Sequence, residues 1–150
     1  MDSEVLDLRV PMERALTLIR PQAADRKLHL ELSGLEGPMK TYGDESLLQE
    51  AVYALLQNAV EASHRGGGVR VSAESFGGRH RLSVSDDGMG ISRGELEKIF
   101  QPFFTTKKEG SGLGLSAALR IAQKHGGTVE ADSAGAGQGA RFTLVLPASR

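Results

Sequence analysis

The chain has 150 residues, a formal net charge of −1, and neither cysteine nor tryptophan. With 39% hydrophobic and 25% charged residues it suits one packed domain, residues 1–150, rather than a disordered segment. The absence of cysteine excludes a disulfide scaffold, a thiolate metal site and a cysteine nucleophile, near-neutral charge argues against a general nucleic-acid binder, and no apolar run approaches the roughly 18 residues of a membrane span.

In chain order, Asp7 to Val10 reads as a short strand, and Pro11 suits the first turn of a helix because its missing N–H is one of the orphan donors there anyway. Met12, Ala15, Leu16 and Ile19 follow at helical spacing. Leu28, Leu30 and Leu32 alternate with polar residues, as in a half-buried strand. Gly34 to Gly43 reads as a connection. The strongest helix begins at Asp44, a side chain suited to an N-cap, and carries the stripe Leu48, Ala51, Val52, Leu55, Leu56 and Ala59. Val69, Val71 and Ala73 predict a strand, Gly77-Gly78 a turn, and Leu82 and Val84 a return strand that delivers Asp86 to its end. Ser92 and Glu95 form a capping box for a short helix through Phe100. Pro102 to Gly110 is irregular; Ser111 then caps a helix with Ala117, Ala118, Ile121, Ala122 and His125 on one side, ended by Gly126-Gly127. Thr128 to Asp132 and Arg141 to Pro147 complete the strands. Strands in hairpins with helices between them predict an α+β domain, with helices on one face of a mixed sheet.

Glycine is over-represented, 19 residues with sixteen at or after Gly66, which suggests specialised loops rather than a linker. Four segments carry candidate chemistry. Asn58 offers a neutral, hard amide oxygen of the kind magnesium accepts, although a helix-surface asparagine is the plainer reading and Gln57 beside it could serve equally. Asp86, in Asp86-Asp87-Gly88-Met89-Gly90-Ile91, is an acceptor placed to take a hydrogen bond from an exocyclic amino group, and glycines after it let a ligand approach the backbone; a simple turn is the alternative. Ile99 to Lys108 holds three of the chain's five phenylalanines beside Pro102 and two lysines, which reads as an anchored flap or as a loop plugged into the core. Gly110-Ser111-Gly112-Leu113-Gly114 opens a helix, where exposed N–H groups and the helix dipole favour phosphate. It lacks the Gly-Lys-Ser/Thr of a P-loop and the third glycine of a Rossmann turn. Each segment is weak alone. Their order describes a nucleotide site in which metal and backbone hold the phosphates.

From about Val5 to Pro147 the chain resembles the catalytic and ATP-binding domain of bacterial sensor histidine kinases, in the wider gyrase, chaperone, mismatch-repair and kinase ATPase superfamily. Leu55 to Ser63 resembles the N box and Asp86 to Ile91 the first glycine box. Phe100 to Lys107 resembles the F box, in wording especially like the nitrogen-regulation type of kinase. Gly110 to Leu115 resembles the second glycine box, and Gly137-x-Gly139-x-x-Phe142 the closing glycine-strand segment. The resemblance implies a two-layer α/β sandwich of the Bergerat type with ATP between helices and a lid at about Ser92 to Gly110. It implies magnesium on Asn58, the adenine amino group on Asp86, and approach of the base at Gly88 and Gly90. It places the phosphates along Thr106, Lys107, Gly110, Ser111, Gly112, Leu113 and Gly114, with Asn58 and Lys107 as the catalytic pair. A helical dimerisation and phosphoacceptor domain bearing the acceptor histidine is the implied partner, and a response regulator an indirect one. A monomeric, cytoplasmic module that contacts neither nucleic acid nor membrane is expected, beginning where a helical domain has just ended.

Two positions depart from the pattern. Ala54 stands where many relatives carry asparagine, or a glutamate general base in the ATP-hydrolysing ones; Ala54 takes no proton, which favours a histidine acceptor, whose neutral imidazole already has a free lone pair. Glu61 stands where a basic residue often follows. His29, His64, His80 and His125 are read as structural or solvated.

Overall fold

The computed structural model describes residues 1–102, 104 and 114–149. Its elements are β1 (Glu4–Asp7), α1 (Arg9–Asp25), β2 (His29–Ser33), β3 (Lys40–Gly43), α2 (Glu45–Ala62), β4 (Gly68–Phe76), β5 (Arg79–Asp86), α3 (Arg93–Leu96), α4 (Gly114–Lys124), β6 (Thr128–Asp132) and β7 (Ala140–Pro147). Five strands form a mixed sheet in the order β2-β4-β5-β7-β6, in which β2 and β4 run parallel and the other neighbours antiparallel. Strands β1 and β3 form a separate antiparallel ribbon. The parallel pair follows from the helical crossover through α2, and the antiparallel pair β4–β5 from the Gly77-Gly78 turn, where both glycines take positive φ.

Helices α1, α2 and α4 form one layer and the sheet the other. The core lies between them: Met12, Leu16 and Ile19 from α1, Leu48, Val52, Leu55 and Leu56 from α2, and Ala118 and Ala122 from α4, facing Val69, Val71, Leu82, Val84, Phe142, Leu144 and Leu146. The opposite sheet face carries polar side chains, among them the pairs Arg70–Asp87 and Arg81–Glu130. This is the expected two-layer α/β sandwich.

Helix ends follow the anticipated chemistry where the sequence shows it. Asp44 caps α2, its carboxylate accepting from Leu47 N at 3.1 Å. Helix α4 ends with Gly126 at φ +78°, Gly127 N bonding Ala122 O and Gly126 N bonding Gln123 O. Helix α1 ends in the same way on Lys27, the one described non-glycine residue with positive φ, at 55°.

Four expectations are corrected. The first strand is Glu4–Asp7, not Asp7 to Val10: Asp7 Oδ1 accepts from Arg9 N at 3.0 Å and its carboxylate pairs with the Arg9 guanidinium at 2.7 Å, so the helix begins at Arg9. The connection Gly34 to Gly43 contains strand β3. The helix expected through Phe100 spans only Arg93–Leu96, after which Lys98 N to Glu95 O and Gln101 N to Lys98 O continue as tight turns. In β2, Leu32 is 43% exposed, because β2 is an edge strand. The expected Ser111 cap lies outside the described residues.

Asp7 ties three elements together, since Met39 N also donates to its Oδ1 at 3.1 Å. The Arg9 side-chain hydrogen bond is the main cause that lowers its carboxyl pKa from 3.8 to about 2, with Met39 adding to it and burial opposing it. A folded value below the unfolded one stabilises above the unfolded pKa, and that stability is lost as pH falls from about 4 to about 2. With the side chain a quarter exposed, screening leaves about 1–2 kcal/mol. Asp7→Asn is expected to flatten the acid limb of stability against pH over that interval in denaturant titrations. An unchanged slope would remove Asp7 from this role.

Candidate functional site

Strand parity decides which of the adjacent acids faces inward. In β5, Leu82 and Val84 point at the helices, so Asp86 does too; it lies opposite Val69 on β4 and Ala140 on β7. Asp86 is 3% exposed, and its Oδ1 accepts from Gly88 N at 2.9 Å. Asp87 points to the other face, where Arg70 grips it with two bonds of 3.1 Å and holds its carboxyl below the ordinary range. Asp86 is therefore the acid on the helix side.

The loop after Asp86 is stitched to the last turn of α2. Met89 N donates to Ala62 O at 2.9 Å, and a Cβ on Gly88 would overlap that same carbonyl oxygen. Gly90, at φ +69°, lies against Gly135 O. The sequence suggests that these glycines admit a ligand; close backbone packing already demands a missing side chain at both. On its far side the loop is joined to residues 133–139 by Gly137 N to Met89 O at 2.7 Å and Gly139 N to Gly88 O at 3.1 Å.

The start of α4 reaches the same helix. A Cβ built on Gly114 would stand 3.8 Å from the Ala54 Cβ. Ala54, Asn58 and Ala62 are spaced by four residues, hence on one face of α2 and about 6 Å apart along its axis. One end of this row meets the helix opened by Gly114 and the other meets the loop after Asp86. Asn58, half-buried, stands between. Glu61 is exposed on α2. Arg26, just after α1, donates to Val60 O at 2.9 Å and so helps hold the C-terminal turn of α2 in place.

Of the expected site residues, Gly88 and Gly114 thus meet α2, which carries Asn58, while Asp86 bonds Gly88 N and Gly90 follows in the same loop. Thr106, Lys107, Gly110, Ser111, Gly112 and Leu113 lie outside the described residues. Of the aromatic segment, Phe100 meets Phe142 edge to face at 6.3 Å between centroids, and Ile99 is buried, so its leading end is anchored in the core. Two histidines are structural. His125 Nδ1 bonds Ile121 O at 2.7 Å, and its Nε2 accepts from Asp44 N at 3.0 Å. His80 bonds Lys40 O and the Ser75 hydroxyl. His29 and His64 are exposed. Among the described residues no three His, Cys, Asp or Glu side chains form a metal-binding group. A hard cation here would be held by the Asn58 amide oxygen together with oxygens of a bound phosphate. Residues missed in the sequence are Ala62, which contributes only its carbonyl, and Ser133, whose hydroxyl bonds Ile91 N at 3.0 Å; its position before Gly135-x-Gly137-x-Gly139 was the available signal.

Gly88→Ala is expected to destabilise by about 1–3 kcal/mol in denaturant titration, because the methyl must displace the α2 carbonyl. Gly94→Ala, in α3 where a Cβ meets nothing within 4 Å, is expected to be neutral or to stabilise by up to about 1 kcal/mol. Equal effects at the two sites would refute the close approach.

Residues 43–150 match the family described as histidine kinase-, DNA gyrase B- and HSP90-like ATPase. The sensor histidine kinase ZraS of Escherichia coli O157:H7 is 37% identical over 144 residues, 96% of this chain and 31% of that protein, so the chain spans about a third of this relative's length. The mycobacterial sensor histidine kinase MprB superposes with a TM-score of 0.88 at 32% identity, over 97% of each chain. The histidine kinase ThkA, solved in complex with the response regulator TrrA, superposes at 0.83 with 25% identity, over 98% of this chain and 42% of that one. With the inward acid, Asn58 on α2 and the helix that starts at Gly114 described, these matches show that the chain belongs to the histidine kinase-, DNA gyrase B- and HSP90-like ATPase family, among the catalytic domains of sensor histidine kinases.

Proposed function

We propose that this domain binds Mg–ATP and donates the γ-phosphoryl group to a histidine on a separate helical dimerisation and phosphoacceptor domain, which then serves a response regulator. The observation that carries the reading is the position of Asn58 on α2, between the loop of the inward acid Asp86 and the helix opened by Gly114. Asp86 accepts from the adenine amino group. The segment leading into Gly114, with Lys107, lines the phosphates. Asn58 holds magnesium, which when bound neutralises charge on the β- and γ-phosphates. In the transfer the bond from the γ-phosphorus to the bridging oxygen of ADP breaks, and a bond to the imidazole nitrogen forms. The protein positions the groups and stabilises charge, with little covalent work of its own.

Ala54 supports histidine rather than water as acceptor. It occupies the α2 position one turn before Asn58, closely faced by Gly114, and supplies no base. No helix among the described residues is long and apolar enough to cross a membrane, and the proposed place of action is the cytoplasm, where ATP and response regulators meet. The domain alone acts as a monomer.

The test mixes this chain, labelled ATP and a separately made helical phosphoacceptor domain. Acid-labile label on the partner is expected. Free phosphate alone would replace the reading with ATP hydrolysis, and neither product would leave a nucleotide-sensing module. Asn58→Ala is expected to lower magnesium-dependent transfer at least tenfold with an unchanged melting curve; unaltered metal dependence would release Asn58 from the role. Asp86→Asn presents an N–H to the adenine amino group and leaves a donor unmatched, which is expected to weaken nucleotide binding about 10–100-fold or more. Calorimetry with ATP reads this directly, and wild-type affinity in that variant would overturn the assignment of the base contact.

A further inference from the structure

We infer that Ser133 is a positioning residue for the nucleotide base, acting through the loop that follows Asp86. The inference rests on the reading that this loop borders the base. Ser133 follows the end of β6 and is half-buried. Its single hydroxyl is fully used. It accepts from Ile91 N at 3.0 Å and Gly135 N at 3.2 Å, and donates its proton to Gly139 O at 2.6 Å, with Gly135 O a longer, competing acceptor at 3.3 Å. One proton and two lone pairs are the whole capacity of a hydroxyl.

These bonds close a two-loop unit. Residues 133–139 and residues 88–91 are already joined along their main chains by Gly137 N to Met89 O and Gly139 N to Gly88 O. Gly139 lies so close to the Asp86 carbonyl that a Cβ there would overlap it. The unit is therefore pinned at Asp86 on one side, and at Ile91 by the Ser133 hydroxyl on the other. The glycines between, Gly88, Gly90, Gly135, Gly137 and Gly139, give the backbone little conformational restraint of their own. Without the hydroxyl, Ile91 N and Gly135 N lose their acceptor, and Gly90 and Ile91, which lie beyond the Met89 N–Ala62 O bond, lose a restraint against residues 133–139. Ser133 is separate from Asn58 and Gly114, which sit on α2 and α4. Its loss acts on nucleotide affinity and leaves the transfer step at saturating ATP alone.

Binding of ATP and ADP is measured by calorimetry on the wild type, Ser133→Ala, Ser133→Thr and Ser133→Cys, with magnesium present. Melting curves without nucleotide accompany each, and amide exchange is followed at Met89 and Ile91. Expected is a loss of affinity of about tenfold for Ser133→Ala, an intermediate loss for the cysteine variant and recovery towards wild type with threonine. Faster exchange at Ile91 and a raised KM with unchanged kcat in the transfer assay are expected alongside. Should the alanine variant melt below the assay temperature, the threonine and cysteine pair still orders the series, because a thiol is a weaker hydrogen-bonding group than a hydroxyl. Wild-type affinity and exchange in folded Ser133→Ala, or an equal fall in affinity for threonine and alanine, would overturn the inference. A wild-type protein that binds neither nucleotide would instead overturn the function proposed above.

Discussion

The fold depends on helix α2 being held at the same time by the sheet, by α4 and by the loop after Asp86. Its apolar stripe, Leu48 to Val60, is buried to 1% exposure or less at every buried position. One α2 face then presents Ala54, Asn58 and Ala62 to two other parts of the chain. The contact at Ala62 is the tightest constraint, because a main-chain carbonyl receives Met89 N and leaves room for nothing larger than glycine at position 88. A side chain can rotate out of the way; a carbonyl at the end of a helix that is buried along its length cannot. The loop geometry is thereby tied to the core.

The same tie explains why the site was partly legible beforehand. Leu82 and Val84 marked a return strand that ends at Asp86, and with both buried in the structure, parity selects Asp86 over Asp87 as the inward acid. The helical period of α2 was equally plain, and the Asp44 cap, the Gly77-Gly78 turn and the Gly126-Gly127 stop all lie where their chemistry requires. What failed did so for physical reasons. Strand β3 buries Thr41 and Gly43 rather than large apolar residues, so it carries no hydrophobic alternation. The first strand was misplaced because the start of α1 is set by Asp7 and its ion pair with Arg9 rather than by a conventional cap on Leu8, which makes no side-chain cap bond.

The glycines give a different lesson. Gly88 and Gly90 read naturally as openings for a ligand, yet each is required by a backbone neighbour within the chain. The two demands are compatible, since a loop packed this closely against α2 and residues 133–139 presents a fixed edge to whatever lies beside it. Ser133 was missed because hydroxyls in glycine-rich loops carry no periodicity, and its place before Gly135-x-Gly137-x-Gly139 was the one signal. Its role emerges only when the partners of its hydroxyl are known.

Arg70 and Asp87 add an unexpected dimension to the doubled acid. Eight paired residues join β5 to β4 and eight join it to β7, so the strand is indexed from both sides. A slip of one residue would exchange the two faces and turn Asp87 inward in place of Asp86. A carboxylate would still look toward the helices, but it would be that of Asp87, stripped of its guanidinium partner. The chemical identity of this cleft is in that sense a property of how the sheet is counted: the ladder bonds specify which of two identical side chains becomes the reader and which becomes ballast.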